Sequence, residues 1–208
     1  MAAGNLEHKM EPGSGRLRLQ ESVTPWPLST KLKRVAWSVC QALLFRPGNK
    51  RFGSKWRVNL LRMWGAQIGE RCDISPSARI LQPWKLTMGD QSCIGDNVDV
   101  YNFAMITLGD QTVVSQRTYL CTGTHDFEDP TMPLLFYPIT IGSECWIAAE
   151  VFVAPGVTIG DRVVVGARSV VVKNLPAAMV CAGHPCKPLK ERVIKLDKDI
   201  VRDTSIYE

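Results

Sequence analysis

The sequence contains no apolar run long enough to span a bilayer. Its longest apolar-rich stretch, VAWSVCQALLF from Val35 to Phe45, falls well short of the roughly 20 residues that a membrane helix needs. The first thirty residues are polar, contain Gly-Ser-Gly and lack an apolar centre, so they do not resemble a signal peptide. We therefore expect a cytoplasmic protein in which residues 1–30 form a disordered tail.

Patterns typical of metal sites are also missing. The seven cysteines are odd in number and show no Cys-x-x-Cys spacing, which indicates neither a disulfide framework nor a zinc cluster. Of the three histidines, His8 lies in the expected tail, which leaves His125 and His184. Because a histidine-based catalytic zinc needs three imidazoles, we predict that the protein uses no metal.

Acidic residues are absent between Ser22 and Gly69. The same stretch holds nine basic residues: Lys31, Lys33, Arg34, Arg46, Lys50, Arg51, Lys55, Arg57 and Arg62. Within it, apolar residues recur at three- and four-residue steps, which is typical of amphipathic helices. We predict that residues 31–66 form a basic helical cap over the open end of the following domain. A second hypothesis is that this cap also contacts the anionic inner face of a membrane.

A period of six residues runs from Ile68 to Val171. Aliphatic residues or Met recur at Ile68, Ile74, Ile80, Met88, Ile94, Val100, Leu108, Val114, Leu120, Ile141, Ile147, Val153, Ile159, Val165 and Val171. Successive triplets of this series start 20, 20, 33 and 18 residues apart. A usually small residue follows four positions later, as at Cys72, Thr124 and Cys145, and we expect both types to point inward. Glycines such as Gly89 are expected to supply the backbone angles of the tight turns.

Spacing of this kind predicts a triangular prism of stacked turns over residues 67–178, since an alternating β-sandwich does not produce steps of six. Residues 126–138 interrupt the rhythm and carry apolar side chains suited to a lid. The outward residues of the upper turns are Val113, Tyr119, His125, Trp146, Phe152, Thr158, Val164 and Val170. Six of these eight are apolar, so we expect a second subunit to cover them.

The segments YNFAMITLGD, CTGTHDF and SECWIAAEVFVAPGVTIGDRVVVGARSVVVKN resemble the hexapeptide-repeat acyltransferases. In detail they are similar to the sugar O-acetyltransferases of the colanic acid biosynthesis type. The resemblance extends over about residues 67–190. It implies an all-β fold, namely a left-handed parallel β-helix of about five turns that assembles as a homotrimer. We expect residues 179–208 to form a C-terminal extension with a short helix.

The resemblance also implies a function. It predicts acetyl-CoA-dependent O-acetylation of a sugar hydroxyl in surface polysaccharide biosynthesis. The acceptor would be a sugar, a sugar nucleotide or a lipid-linked sugar, and no nucleic acid partner is expected. His125 is by resemblance the general base, because a neutral imidazole can remove a hydroxyl proton during attack on a thioester. Asn102 and Asp126 are expected to bind the acceptor, and either Asp126 or Glu150 to orient the imidazole.

The donor site is likewise implied by the resemblance. Ala149 and Ala167 would offer backbone groups to the pantetheine, and Trp146 would line the thioester end. Lys173 and Lys187 would contact the nucleotide phosphates. His184 is left out of the catalytic set.

Other functions are open from the sequence alone. A zinc hydrolyase on the same prism conflicts with the number of histidines. Transfer from acyl carrier protein, transfer to an amino sugar, and a non-catalytic scaffold are compatible with the repeat. The THD histidine favours an enzyme over a scaffold.

Overall fold

The computed structural model describes residues 16–46 and 53–195. Two α-helices precede the strands: α1 (Leu28–Cys40), which continues into a π-helical stretch (Gln41–Phe45), and α2 (Ser54–Met63). Short 3-10 helices lie at Leu19–Glu21 and Pro83–Lys85. Within these two described ranges, no helix is both long enough and apolar enough to cross a bilayer.

Short strands stack on three faces of a prism. Face A consists of β1 (Gln67–Ile68), β4 (Leu86–Met88), β7 (Ile106–Leu108), β12 (Ile139–Ile141) and β15 (Thr158–Ile159). Face B consists of β2 (Asp73–Ile74), β5 (Cys93–Ile94), β8 (Val113–Val114), β13 (Trp146–Ile147), β16 (Val164–Val165), β18 (Met179–Gly183) and β19 (Cys186–Glu191). Face C consists of β3 (Arg79–Ile80), β6 (Asp99–Tyr101), β9 (Tyr119–Cys121), β14 (Phe152–Val153) and β17 (Val170–Val171).

The register of these strands confirms the sequence period. Ile68 pairs with Met88 twenty residues later, and Leu108 pairs with Ile141 across the 33-residue step. All pairs within the three faces are parallel except β18 with β19. The prism therefore has five complete turns, and a parallel bridge from Ile159 to Leu175 on face A, followed by β18 on face B, forms part of a sixth. This is the predicted parallel β-helix.

Two kinds of side chain point into the core from each face: a column of aliphatic residues and a column of small residues. The aliphatic column is almost fully buried, from Ile74 to Val171. In the column of small residues, side-chain groups hydrogen-bond to the next turn: Ser92 Oγ donates to Gly109 O at 2.6 Å, and Thr112 Oγ1 donates to Gly142 O at 2.7 Å. Cys145 belongs to this column, where burial raises the pKa of its thiol. The prediction for Thr124 is wrong, because the chain leaves the prism before it and its side chain is exposed.

The repeat glycines serve a different purpose from the one predicted. Gly89 does not adopt a positive φ; the left-handed position in that turn belongs to Gln91, at φ 57°. A Cβ at Gly89 would instead lie 2.6 Å from Asp110 N and 2.7 Å from Gly109 C in the next turn. Glycine is thus required by the close approach of stacked turns and not by backbone angle.

A Gly89→Ala substitution should lower the melting temperature by roughly 4–12 °C, because overpacking against backbone costs about 2–3 kcal/mol. Gln91→Gly is the matched control in the same turn. It relieves a left-handed residue that costs about 1 kcal/mol, so it should leave the melting temperature unchanged or raise it. The melting temperatures of the Gly89→Ala and Gln91→Gly variants are measured by thermal unfolding, with circular dichroism as the signal. Equal melting temperatures for Gly89→Ala and wild type would contradict the close-approach explanation.

The two ends of the described chain bear differently on the sequence expectations. Residues 179–191 of the expected C-terminal extension form the antiparallel pair β18–β19, and the short helix expected in this extension stays a prediction, because residues 196–208 lie outside the described residues. Residues 16–30, expected in a disordered tail, contain a 3-10 turn and the start of α1, and Arg18 N donates to Pro130 O at 2.8 Å. The N-terminal segment therefore lies across the insertion.

Candidate active site

The interruption of the repeat is a β-hairpin that leaves the prism after face C. Its strands, β10 (Gly123–His125) and β11 (Leu134–Phe136), pair antiparallel, with His125 opposite Leu134. The loop between them is closed by its own hydrogen bonds. Asp126 Oδ1 accepts from the backbone of Glu128 at 3.1 Å, and Asp129 Oδ1 accepts from Thr131 N at 2.7 Å. This local bonding gives the loop a defined shape beside the imidazole.

The loop orients His125 through a backbone carbonyl. His125 Nδ1 lies 2.7 Å from Met132 O, and Met132 occupies the left-handed region at φ 46°. A carbonyl oxygen only accepts, so Nδ1 carries the proton and donates it to this bond. In the neutral ring Nε2 is then unprotonated, and the His125 side chain is exposed. The geometry thus leaves Nε2 free to accept a proton.

The two carboxylates considered for orienting His125 have other partners. Asp126 caps its own loop, as described above. Glu150 Oε1 lies 2.6 Å from Arg117 Nη2, and Glu150 Oε2 lies 2.6 Å from Arg168 Nε. Hydrogen bonds from Arg168 and Arg117 hold the pKa of Glu150 below its usual range. In this chain the contact to Nδ1 comes from Met132 and not from either carboxylate.

A cavity of about 200 Å³ opens beside His125. Its walls are residues 22–26, His125 and Leu134. Trp26 is fixed by stacking between Phe103, at a centroid distance of 5.4 Å, and Phe136, at 5.2 Å. The sequence did not reveal this wall, because Trp26 lies in a polar stretch outside the repeat. The nearest available signal was an isolated tryptophan flanked by two prolines.

Lys85 is a second residue that the sequence did not reveal. Its Nζ lies 5.1 Å from the centroid of Trp26 and 5.5 Å from that of Phe136, and it donates to Phe103 O. Burial lowers the pKa of Lys85 from its usual value. Lys85 thereby places a cation behind the aromatic wall of the cavity.

Asn102 does not present its amide to this cavity. The side chain is fully buried, and Nδ2 donates to Gln82 O at 2.8 Å and Lys85 O at 2.9 Å. Its Oδ1 accepts from Gln82 N at 2.9 Å. Both amide hydrogens are therefore committed to the corner that carries Lys85. This geometry argues against the predicted contact between Asn102 and an acceptor.

Three of the predicted donor residues, Trp146, Ala149 and Ala167, lie on other parts of the prism than His125 within one chain. Trp146 projects from face B, and its Nε1 donates to Ser115 Oγ at 2.9 Å. Ala149 and Ala167 occupy stacked turns between faces B and C, where Arg168 N donates to Ala149 O at 2.9 Å. His125 leaves from the corner that follows face C. Within one chain these three residues therefore lie on other sides of the prism than the corner that carries His125.

The two predicted phosphate-binding lysines are both exposed. Lys173 follows β17 on face C, and Lys187 lies on β19, paired with Ala182 of face B. Their side chains are accessible to an anionic ligand.

The chain is similar to known acetyltransferases. The family described as bacterial transferase hexapeptide (six repeats) matches residues 138–173. A protein of Escherichia coli (strain K12) named "Putative colanic acid biosynthesis acetyltransferase WcaF" is 48% identical over 162 residues, which cover 78% of this chain and 88% of that protein.

Two solved structures share the fold. A hexapeptide-repeat-containing acetyltransferase of Vibrio cholerae O1 biovar eltor, complexed with acetyl coenzyme A, has a TM-score of 0.73 at 25% identity, over 80% of this chain and 91% of that one. A galactoside acetyltransferase in complex with coenzyme A has a TM-score of 0.74 at 26% identity, over 81% of this chain and 84% of that one. With the register of the prism and the extent of the WcaF match, they show that this chain belongs to the hexapeptide-repeat acetyltransferase family.

Proposed function

We propose that the protein transfers an acetyl group from acetyl-CoA to a sugar hydroxyl, with His125 as the general base. The observation that carries this proposal is the bond from His125 Nδ1 to Met132 O, which leaves Nε2 as the proton acceptor at the mouth of a cavity. The sugar oxygen attacks the thioester carbonyl while Nε2 takes the hydroxyl proton. Collapse of the intermediate breaks the carbon–sulfur bond, and the proton passes to the departing thiolate. The products are an acetyl ester and coenzyme A.

The acceptor is proposed to bind in the cavity between His125 and residues 22–26. The outer wall is apolar at Val23 and Leu134, and Trp26 is held rigidly by two rings. A rigid apolar wall beside one proton acceptor suits a sugar, which has an apolar ring face and hydroxyls at its edge. Asp126 is proposed to act on this acceptor indirectly, since its carboxylate shapes the loop that orients His125.

Coenzyme A is proposed to bind between subunits, because Trp146, Ala149 and Ala167 lie on face B and at the corner between faces B and C, whereas His125 of the same chain lies at the corner that follows face C. Trp146 would lie at the thioester end, Ala149 and Ala167 along the pantetheine, and Lys173 and Lys187 at the phosphates. Two solved relatives of this fold are described as complexes with acetyl coenzyme A or coenzyme A, which supports the choice of donor.

We also propose that the protein assembles as a homotrimer, which the outward columns of the three faces support. On face A the paired outward residues are polar: Gln67, Thr87, Thr107, Thr140 and Thr158. On the upper turns of face B they are Val113, Trp146, Val164 and Val180, and on face C they are Tyr119, Phe152 and Val170. In a closed three-fold assembly each prism covers two faces and leaves one in water. The outward residues fit that arrangement if the apolar faces B and C contact the other subunits and the polar face A is exposed to water.

The protein is proposed to act in the cytoplasm, on an intermediate of surface polysaccharide biosynthesis and in peripheral contact with the inner face of the membrane. The named activity of its relative WcaF supports the pathway class. The basic, acid-free stretch from Ser22 to Gly69 supports the location.

Release of free thiol from acetyl-CoA tests the proposed function. Purified full-length protein is given acetyl-CoA and a panel of sugars, nucleotide sugars and lipid-linked sugars, and the products are examined by mass spectrometry. We expect thiol release that depends on an acceptor, with a gain of one acetyl group on that acceptor. Absence of thiol release with every acceptor, or release without an acetylated product, would contradict the proposal.

Lys187→Glu should raise the KM for acetyl-CoA by roughly tenfold and change the KM for the acceptor little, because it replaces attraction to phosphate by repulsion. Lys190→Glu is the matched control, since Lys190 is an exposed lysine on the same strand, β19. Steady-state kinetics with each substrate varied in turn makes the comparison. Equal changes in both KM values, or equal effects of the two substitutions, would remove Lys187 from the donor site.

A further inference from the structure

Helix α1 exposes a continuous aliphatic stripe to solvent. Leu28, Leu32, Val35 and Val39 are 70%, 61%, 63% and 54% exposed. At 3.6 residues per turn their side chains fall within about 60° of arc. Leu43, 65% exposed, extends the stripe into the π-helical stretch. The sequence predicts that most of these residues belong to a helical cap over the prism, but it does not predict which apolar side chains of that cap are covered.

The opposite side of α1 is the side that holds the helix on the prism. Trp37 is 1% exposed, its Nε1 donates to Ile80 O at 2.6 Å, and its ring lies 5.5 Å from that of Trp64. Phe45 at the end of the π-helical stretch is fully buried. The helix is therefore anchored with its stripe facing outward, and the stripe is not needed to attach the helix.

The charges around the stripe favour an anionic partner. Lys31 and Arg46 are exposed on the same helical unit, and no Asp or Glu occurs between Ser22 and Gly69. Lys33 lies on the anchored side instead, where its Nζ is 4.1 Å from the centroid of the Trp84 ring. Arg57 and Arg62 instead bind prism carbonyls, at Ile74 O and Ile68 O. An aliphatic stripe bordered by basic residues is the pattern of a helix that lies in the plane of an anionic bilayer surface.

The stripe continues directly from the wall of the His125 cavity. Val23, which lines that cavity, is 81% exposed, and Trp26 is separated from Leu28 by Pro27 alone. A surface that meets the stripe therefore comes close to the cavity mouth. This proximity matters for an acceptor whose sugar is carried on a lipid.

We propose that the stripe of α1 docks on the headgroup region of an anionic bilayer and so presents the His125 cavity to lipid-linked sugars. The proposal rests on the proposed acetyl transfer for its choice of substrate, but the docking itself does not. Aliphatic side chains of the stripe enter the interface, and Lys31 and its basic neighbours contact lipid phosphates. The acceptor sugar, held just above the headgroups by its lipid, then reaches His125 without leaving the membrane.

Cosedimentation with vesicles tests the docking. Full-length protein is mixed with vesicles of 30% phosphatidylglycerol in phosphatidylethanolamine, or of phosphatidylcholine alone, at low and at physiological salt. We expect binding to the anionic vesicles that weakens with salt. A variant with Leu32→Gln, Val35→Gln and Val39→Gln should bind at least roughly tenfold more weakly, because the exposed apolar area of the stripe is removed. Lys31→Glu should weaken binding at low salt.

The matched control is Val193→Gln with Ile194→Gln, which removes exposed aliphatic side chains at the other end of the chain, 84% and 56% exposed. We expect this variant to bind vesicles as the wild type does. Thiol release with a soluble acceptor should be unchanged in the stripe variant, so a failure of docking is distinct from a failure of acetyl transfer. No wild-type binding to anionic vesicles at either salt would overturn the proposal. So would a stripe variant that binds normally, or one whose oligomer dissociates in sedimentation velocity, which would identify the stripe as a subunit contact.

Discussion

Replacing His125 with alanine should reduce kcat by about 10²–10⁴-fold, the usual contribution of a positioned general base. The side chain is exposed, and the described contact that it would lose is the one with Met132 O. Folding and assembly should therefore be unaffected. The KM for acetyl-CoA should change little, because the proposed contacts to coenzyme A are made by other residues. Stopped-time assays of thiol release measure kcat and the KM for acetyl-CoA. Circular dichroism checks the fold, and sedimentation checks the assembly.

Thr124→Ala is the matched control for this prediction. Thr124 is exposed on the same strand, next to His125, and is not assigned a chemical role. We expect kcat within about twofold of wild type for this variant. A His125→Ala protein that kept near-normal kcat would show that another group removes the hydroxyl proton.

Phe152→Asp should dissociate the trimer and lower activity by more than about 100-fold, because it places a charge on an apolar subunit surface and separates the two parts of the site. Phe152 is half-buried in the single chain and stacks on Tyr119 at a centroid distance of 5.8 Å. Sedimentation velocity at micromolar concentration reports the assembly, and thiol release reports the activity.

Thr140→Asp is the matched control, since Thr140 is the exposed outward residue of face A in the same turn region. It should leave both mass and activity unchanged. Val170→Asp, in register with Phe152 on face C, provides a second test if the loss of ring stacking unfolds Phe152→Asp. A Phe152→Asp monomer with full activity would contradict a site shared between subunits.

The repeat could be predicted from the sequence because the spacing that produces it is local and periodic. One aliphatic side chain per strand, six residues apart, gives the face, the register and the place of the insertion. The reason for the glycines was not readable, because the clash at Gly89 involves the backbone of a residue 21 positions later. Only the stacked structure shows that the turns approach so closely.

Of the candidate site, the sequence predicted the histidine itself but not the groups that surround it. His125 stood out as a histidine at the root of the insertion. Its partner did not, because Met132 contributes a carbonyl that every residue possesses. Trp26 was missed because it packs on Phe103 and Phe136, which are distant in sequence. The direction of the α1 stripe could not be predicted, since helical periodicity shows that an apolar face exists but not whether it is covered.

In the proposed mechanism, His125 of one chain acts on a thioester that is held mainly by the neighbouring chain. A crystal structure of the assembled protein with coenzyme A tests this claim most directly. We predict that the sulfur lies within roughly 4–6 Å of His125 Nε2, which leaves room for an acceptor oxygen between the imidazole and the reacting carbonyl. We also predict that the pantetheine contacts Ala149 and Ala167 of the adjacent subunit. A sulfur far from every His125, or a coenzyme A bound wholly within one chain, would contradict the account.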